Sequence, residues 1–257
     1  MCGYAHFEKS QQLGYHLIGK LFSNTITAKG KIKMKLLDNL YAYVWQGNDN
    51  NCNSYLFASA LKDSKHLLVD PGHVSTPFYR EPGLDRLFQD INGDGLNTGQ
   101  IGLVILTHSH PDHCEAAKVI RKQNGALVAL HKADEPVYKN LGGKIDIYLQ
   151  EGDLVLGAQG KLRLKVFHSP GHSPGHITIY WPDEKVLIAG DVIFYRSTGR
   201  VDVPGGSAKT LKQSIERLSQ LDIEYLLCGH PYGHPGMIKG MAAVQENFEF
   251  IKRNVLL

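Results

Sequence analysis

A cluster of metal-binding side chains, directly after an apolar segment of strand length, most constrains how this chain can fold. The segment IGLVIL precedes residues 107–113, which read T-H-S-H-P-D-H. Alternate residues of an extended segment point to the same side, so His108 and His110 can direct two imidazoles to one point. The proline that follows turns the chain, and Asp112 and His113 then stand where a helix is predicted to begin. The cluster therefore predicts a metal site at the end of a buried strand.

Three later residues with metal-binding side chains, His172, Asp191 and His230, each follow a glycine at the end of a predicted strand. Glycine has no Cβ, so the backbone beside it can approach a shared site closely. Any one of these pairs is weak evidence, because Gly-Asp after a strand is commonly an ordinary turn. Together with the first cluster they form one candidate ligand set, which consists of His108, His110, Asp112, His113, His172, Asp191 and His230.

Short runs of apolar and β-forming residues recur along the chain and predict strands. The predicted strands cover residues 40–45, 54–60, 67–69, 101–106, 126–130, 162–167, 177–181, 186–189 and 225–228. Helices are predicted at residues 83–91, 114–123, 208–221 and 237–255. Strands in series, followed by strands mixed with helices, occur in both halves of the chain. This order favours an α/β sandwich of two mixed sheets covered by helices.

Composition excludes several other classes of protein. The 257 residues are 42% hydrophobic and 21% charged, which is ordinary for a globular protein with one substantial core. No apolar run approaches the roughly 20 residues that cross a bilayer, and the N-terminal segment does not resemble a signal peptide, so we expect a cytoplasmic location and no membrane partner. The net charge of +3 comes without a basic stripe, so no nucleic-acid partner is expected. The four cysteines form no CxxC pair.

One segment partly matches the sequence pattern of a different kind of metal site. Residues 90–95, D-I-N-G-D-G, match the opening of a calcium-binding EF-hand loop. The twelfth position of such a loop supplies a bidentate carboxylate, but here it is Ile101, which belongs to a predicted strand. We therefore interpret this segment as a solvated turn.

The series HxHxDH, PGHSPGH, GD and GH, with Asp70 in an LVDPG segment before it, resembles the metallo-β-lactamase-fold hydrolase superfamily. The resemblance spans residues from about 40 to 235. It implies a four-layered αββα sandwich with the metals at one edge between the sheets. We accordingly expect residues 35–257 to form a single domain. Residues 1–34 lie outside the resemblance and have weak periodicity, and we expect them to form an N-terminal extension or an extra hairpin.

The resemblance also implies a role for each candidate ligand. His108, His110 and His172 would hold a first metal ion, Asp112, His113 and His230 a second, and Asp191 would bridge the two. We expect two divalent metal ions, with zinc as the first choice and iron or manganese chemically compatible. Asp112 is also the candidate catalytic residue, which would orient a metal-bound hydroxide or take up a proton. Asp70 and His176 are expected to orient ligands by hydrogen bonds, and Cys114 to pack in the core.

The segments at residues 190–194 and 199–207 resemble those of glyoxalase II-like (hydroxyacylglutathione hydrolase-like) members, which cleave thioesters. The expected function is therefore hydrolysis of a small-molecule thioester by a metal-bound hydroxide. The C-terminal helical region with which full glyoxalase II enzymes grip glutathione is not identified before Leu257. A lactonase and a mononuclear-iron persulfide dioxygenase remain alternatives. A non-catalytic metal-binding protein is disfavoured, because closed structural zinc sites use four ligands rather than seven. A homodimer is compatible with the sequence.

Overall fold

A computed structural model of the chain describes residues 34–157, 160–232 and 236–255. The expected N-terminal extension at residues 1–34 therefore lies outside the described residues, apart from Met34. Within the described ranges, none of the helices has both the length and the hydrophobicity that a bilayer crossing requires.

The first half of the chain forms a six-stranded sheet whose strands lie in sequence order. Its first three strands pair antiparallel, and the remaining pairs are parallel. The strands are β1 (Leu40–Tyr43), β2 (Ser54–Phe57), β3 (His66–Val69), β4 (Ile101–Ile105), β5 (Leu127–His131) and β6 (Ile147–Leu149).

The second half forms another six-stranded sheet and a small two-stranded one. The large sheet has the order β14-β13-β10-β9-β8-β7, and only its β10–β13 pair is parallel. Its strands are β7 (Gly152–Leu156), β8 (Leu162–His168), β9 (Ile177–Trp181), β10 (Val186–Gly190), β13 (Tyr225–Cys228) and β14 (Met237–Lys239). The small sheet pairs β11 (Ile193–Phe194) with β12 (Ser197–Thr198).

Helices cover the outer faces of both large sheets. In chain order they are α1 (Gly83–Gly93), α2 (Pro111–Cys114), α3 (Ala117–Asn124), α4 (Glu135–Asn140), α5 (Ala208–Leu218) and α6 (Met241–Asn254). Short 3-10 turns occur at Lys62–Ser64, Thr98–Gln100, Lys132–Asp134 and Pro182–Glu184.

Three clusters of buried side chains hold these layers together. The central cluster joins the facing sides of the two sheets, where the Phe57 and Trp181 rings meet edge to face with centroids 5.6 Å apart. An outer cluster packs α1 and α3 on the first sheet, and its counterpart packs α5 and α6 on the second. Every layer thus buries its apolar face against a neighbour. The predicted four-layered αββα sandwich is confirmed.

Two helix predictions were wrong in detail. Residues 237–239, which were predicted as the start of the last helix, form β14, because they pair antiparallel with the edge of β13. Gly240 follows with a φ of 102°, and α6 begins at Met241. The predicted helix at residues 114–123 is two helices, since α2 ends at Cys114 and α3 begins at Ala117.

Candidate metal centre

The seven candidate ligands come from four chain segments that meet at one edge of the sandwich. His108, His110, Asp112 and His113 lie on the segment that leaves β4 and enters α2. His172 lies on the β8–β9 loop, and Asp191 and His230 come just after β10 and β13. The parallel strands β10 and β13 end on the same side, which brings these last two residues together.

Three histidines form a first group of ligand atoms. Nδ1 of His110 lies 3.0 Å from Nε2 of His108 and 2.8 Å from Nε2 of His172. All three atoms lie within 4.8 Å of one another, which is the spacing of donors around a single ion. His108 and His172 are buried, and His110 is half-buried.

Asp112, His113 and His230 form a second group. Nε2 of His230 lies 3.1 Å from Nε2 of His113 and 3.3 Å from Oδ2 of Asp112. These ligand atoms also lie within 4.8 Å of one another. Two imidazoles and a carboxylate are a donor set that divalent transition metals accept.

The carboxylate of Asp191 faces both groups. Its Oδ1 lies 3.1 Å from Nε2 of His113, while its Oδ2 lies 3.5 Å from Nε2 of His172 and 3.4 Å from Nε2 of His230. Oδ1 of Asp191 is buried and has no partner in hydrogen-bonding geometry among the described residues. A buried carboxylate oxygen left in this way is costly unless a cation is present.

In His172 and His230, the hydrogen bond made by Nδ1 determines that Nε2 points toward the candidate metal centre. Nδ1 of His172 lies 2.7 Å from the carbonyl oxygen of Arg200, and Nδ1 of His230 lies 3.0 Å from that of Asn51. A carbonyl oxygen can only accept, so each Nδ1 carries a proton and donates it outward. Each inward Nε2 therefore presents a lone pair when the ring is neutral, as a metal ligand must.

Asp70 orients His113 in the same way. Its Oδ2 lies 2.9 Å from Nδ1 of His113 and accepts from the Thr107 hydroxyl, while its Oδ1 accepts from the Thr107 backbone N–H. His176, the other residue expected to orient ligands, accepts at Nε2 from the backbone N–H of Asp191 over 3.0 Å. Both residues contact the ligand-bearing segments that the sequence indicated.

Electrostatics favour positive charge between the two groups. Burial opposes the charged ring of His230, but Asp191 and a hydrogen bond with Asp112 outweigh it and raise the pKa of His230 to about 9. Burial likewise opposes the charged carboxylate of Asp191, yet His230 and His113 hold its pKa well below the usual value. A position at which a histidine binds a proton this strongly also suits a divalent cation. The residues present therefore fit two metal ions, and nitrogen and oxygen donors suit zinc, iron and manganese alike.

Three residues around the centre were missed in the sequence. The buried carboxylate of Asp134 accepts hydrogen bonds from the two loops that carry the first group. At the rim, Asn50 donates to Oδ2 of Asp112 over 2.6 Å and accepts from the Tyr232 hydroxyl over 2.8 Å. Tyr232 is half exposed and stacks on His230 at a ring distance of 4.7 Å. Their hydrogen-bonding partners lie tens of residues away, so no local spacing in the sequence indicates them.

Other residues considered from the sequence do not join the centre. The rings of His131 and His168 stack on each other with centroids 4.2 Å apart, outside both groups. His234 lies outside the described residues. Burial raises the pKa of the Cys114 thiol, whose Sγ donates to the Ser109 carbonyl oxygen. Cys114 is thus a packed residue, as predicted.

Comparison with known proteins agrees with this geometry. The chain is 31% identical to "Probable metallo-hydrolase YqgX" of Bacillus subtilis over 195 residues, which cover 69% of this chain and 84% of that protein. It is 33% identical to a hydroxyacylglutathione hydrolase of Cereibacter sphaeroides over 174 residues, which cover 67% of this chain and 64% of the relative. The chain thus spans about two thirds of that enzyme's length.

Solved structures share the architecture. The crystal structure of TTHA1623 in a di-iron-bound form superposes with a TM-score of 0.61 at 28% identity, covering 80% of this chain and 97% of that one. The sequence pattern of the metallo-beta-lactamase superfamily matches residues 47–230, which include all seven candidate ligands. The chain therefore belongs to the metallo-beta-lactamase superfamily.

Proposed function

We propose that this metallo-hydrolase holds two metal ions and cleaves a small acyl thioester. The observation that carries the proposal is the convergence of two three-residue ligand groups around the carboxylate of Asp191. The thioester preference is supported by hydroxyacylglutathione hydrolase relatives at about one third identity. A sequence relation at that level supports a substrate class rather than one acyl group.

The assignment of ligands follows the two groups. His108, His110 and His172 would hold one ion, Asp112, His113 and His230 the other, and Asp191 would contact both. Two divalent cations held by these residues would supply Lewis acidity that activates water at neutral pH and polarises a carbonyl. We propose zinc, while the di-iron form of TTHA1623 makes iron the first alternative to test.

The residues of the chain itself would orient the reacting groups. Asp112 lies at the rim of the second group, where the Asn50 amide fixes one of its oxygens. From this position Asp112 would orient the nucleophile or accept its proton. Tyr232 is half exposed beside His230 and is backed by the buried ring of Phe194, 5.2 Å away, so an acyl or thiol group would pack against the Tyr232 ring. The described cysteines are buried, and burial raises the pKa of each thiol, so no cysteine nucleophile is invoked.

Metal quantitation joined to a substrate panel tests this proposal. Purified protein should contain two metal ions per chain and hydrolyse S-lactoylglutathione or a related thioester in preference to an acyl-homoserine lactone. Preferential lactone opening would replace the thioester assignment with a lactonase. One iron per chain with oxygen uptake on glutathione persulfide would make the protein a dioxygenase. Purified protein that retains no metal would contradict the dinuclear centre.

The cellular setting follows from the same proposal. We propose a small molecule as the substrate and the cytoplasm as the location. Fractionation of cells that express the tagged chain tests the location. Light scattering of the purified protein tests whether it is a homodimer.

A further inference from the structure

Asp134 is a buried carboxylate behind the first ligand group, and it touches no ligand side chain. Only 1% of its surface is exposed, and it stands just after β5, at the same sheet edge as the end of β4. Its Oδ2 accepts hydrogen bonds from the Ser109 N–H over 2.9 Å, the Ser109 hydroxyl over 3.1 Å and the Ser173 hydroxyl over 2.8 Å. Its Oδ1 accepts from the Gly175 N–H over 2.6 Å.

These four hydrogen bonds join two loops from different sheets. Ser109 stands between the ligands His108 and His110 on the segment after β4. Ser173 follows the ligand His172, and both it and Gly175 lie on the β8–β9 loop. Asp134 therefore connects the segments that carry all three members of the first group, because its carboxylate accepts hydrogen bonds from residues beside each of them. The second group has different supports, since Asp70 orients His113 and the Asn51 carbonyl orients His230.

The site around Asp134 admits little adjustment. Its four hydrogen-bonding partners are neutral donors, so a buried negative charge is stabilised only while each stays in place. A Cβ atom on Gly175 would lie 2.6 Å from the backbone nitrogen of Asp134 and 2.7 Å from its Oδ1. The loop thus approaches Asp134 as closely as glycine permits.

We propose that Asp134 is a positioning residue that sets the metal affinity of the His108, His110 and His172 site and leaves the Asp112, His113 and His230 site unaffected. This inference rests on the proposed dinuclear centre. Hydrogen-bonding partners outside the ligand set typically change metal affinity by about 10- to 100-fold. The expected effect of disturbing Asp134 is a loss of that size, confined to one of two sites.

The variant Asp134→Asn replaces one acceptor oxygen with a donor. If the amide oxygen takes the place that accepts from Ser109 and Ser173, the amide nitrogen faces the N–H of Gly175, and two donors oppose each other. The loop that carries His172 must then move. Zinc affinity of the first site should fall about 10- to 100-fold, and excess zinc should restore most turnover.

Asp146→Asn is the matched control. Asp146 is another largely buried carboxylate attached to β5, where it accepts from the Val128 N–H and pairs with Arg121, but it contacts neither metal loop. Both variants remove one negative charge from the same sheet. A general loss of stability would lower the unfolding midpoint of both metal-free proteins, whereas a positioning effect would change zinc affinity only in Asp134→Asn.

Zinc titration against a chromophoric chelator, in the full chain, assigns the affected site. His172→Ala and His230→Ala provide proteins in which only the second or only the first site remains. Adding Asp134→Asn to His230→Ala should weaken the remaining site about 10- to 100-fold, and adding it to His172→Ala should change nothing. If Asp134→Asn folds poorly, Ser173→Ala, which removes one of the four hydrogen bonds, should give a smaller loss at the same site.

The outcomes separate this inference from the proposed function. If the wild-type protein binds two zinc ions and both affinities are unchanged in the Asp134→Asn variant, the positioning role alone is refuted. Equal weakening of both sites would refute it as well. Wild-type protein that binds no zinc would refute the dinuclear centre on which it rests.

Discussion

At Gly229 the backbone passes close to the carboxylate of Asp191, which lies beside both ligand groups. A Cβ atom there would lie 2.1 Å from Oδ1 of Asp191 and 2.8 Å from the carbonyl carbon of Gly190. Gly229→Ala must therefore displace Asp191 from both groups. Because a shift of about 1 Å in a reacting group can cost about 100-fold in rate, we expect kcat/KM to fall by at least that factor. Steady-state kinetics with metal analysis measures the effect.

Gly99→Ala is the control for that substitution. Gly99 is exposed, and the nearest atom to its added Cβ is an Asn97 side-chain oxygen at 3.1 Å. This variant should keep wild-type kcat/KM and two metal ions per chain. A Gly229→Ala enzyme with unchanged activity would mean that Asp191 tolerates displacement, which is incompatible with a bridging carboxylate.

Asp112 should contribute to turnover beyond its part in metal binding. Asp112→Asn keeps the shape of the side chain but removes its charge and its capacity to accept a proton. We expect kcat to fall about 100-fold at saturating metal, the lower end of the range for a lost general base. Rates with and without added zinc separate the two effects, and Asp183→Asn at an exposed turn is the control. Unchanged turnover and metal content would remove Asp112 from the mechanism.

A carboxylate at the end of the first sheet holds α3 against that sheet. Asp146 accepts two hydrogen bonds from the Arg121 guanidinium, both at 2.9 Å, and one from the Val128 backbone N–H. The Arg121 hydrogen bonds are the main reason that the pKa of Asp146 is lowered in the folded protein. The ion pair therefore stabilises the fold above the unfolded pKa of about 3.9, and this contribution is lost as the pH falls through the lower folded pKa.

Asp146→Asn should consequently lower Tm at pH 7 by about 2–4 °C, a shift typical of a modest loss in a chain of this size. The difference from wild type should shrink as the pH falls below the unfolded pKa of about 3.9, because the unfolded wild-type carboxylate then takes up a proton and the folded one does so at still lower pH. Calorimetric scans between pH 3 and pH 7 measure both trends. A constant difference across this range would exclude the ion pair as its cause.

Elements with strong local signals were predicted from the sequence, whereas elements that depend on distant partners were not. The apolar run at residues 101–106 has few alternatives to a buried strand, and it forms β4. Residues 237–239 have no comparable signal, and they become a strand because the open edge of β13 lies beside them. The edge strands β6 and β7 were missed for a similar reason, since exposed residues interrupt their apolar pattern.

The residues of the candidate metal centre also differ in whether the sequence indicates them. The convergence of its seven proposed ligands was predictable, because each side chain has ligand chemistry and stands on a segment that follows a strand. Asp134 was not predictable. It stands 21 residues after His113, and its role becomes visible only once two loops fold over it. Asn50 and Tyr232 lie 182 positions apart and meet only in the folded chain.

At the scale of the whole molecule, hydrogen bonds from the first sheet hold the part of the second sheet that carries His230. The buried Tyr55 hydroxyl donates to the Cys228 carbonyl oxygen over 2.6 Å. Tyr55→Phe leaves that carbonyl with one partner fewer, so we expect a loss of about 1–2 kcal/mol in the free energy of unfolding. Denaturant unfolding of the metal-free protein measures it.

Tyr138→Phe is the matched control for that measurement. The Tyr138 hydroxyl is buried but has no hydrogen-bonding partner within the described ranges, so its removal should not lower stability. Equal losses in the two variants would show that the Tyr55 hydroxyl contributes nothing specific to the link between the sheets.

Metal removal should destabilise the whole sandwich, because both ligand groups draw side chains from both sheets. Zinc at 100 times its dissociation constant stabilises the folded state by about 2.7 kcal/mol for each site. We therefore expect chelation to lower Tm by several degrees, and added zinc to raise it again with the logarithm of the zinc concentration above the dissociation constant. Differential scanning fluorimetry measures this, with magnesium as the control ion. An unchanged Tm would contradict metal binding in the folded state.

The chain passes from the first large sheet to the second at residues 150–151, between β6 and β7. Each proposed site thus takes two ligands from the polypeptide before this junction and one from the polypeptide after it, and Asp191 also lies after it. Neither fragment of a chain severed there would carry a complete ligand group. Zinc retention would then report reassembly of the two fragments, so the hydrolase could serve as a split sensor whose output requires both pieces.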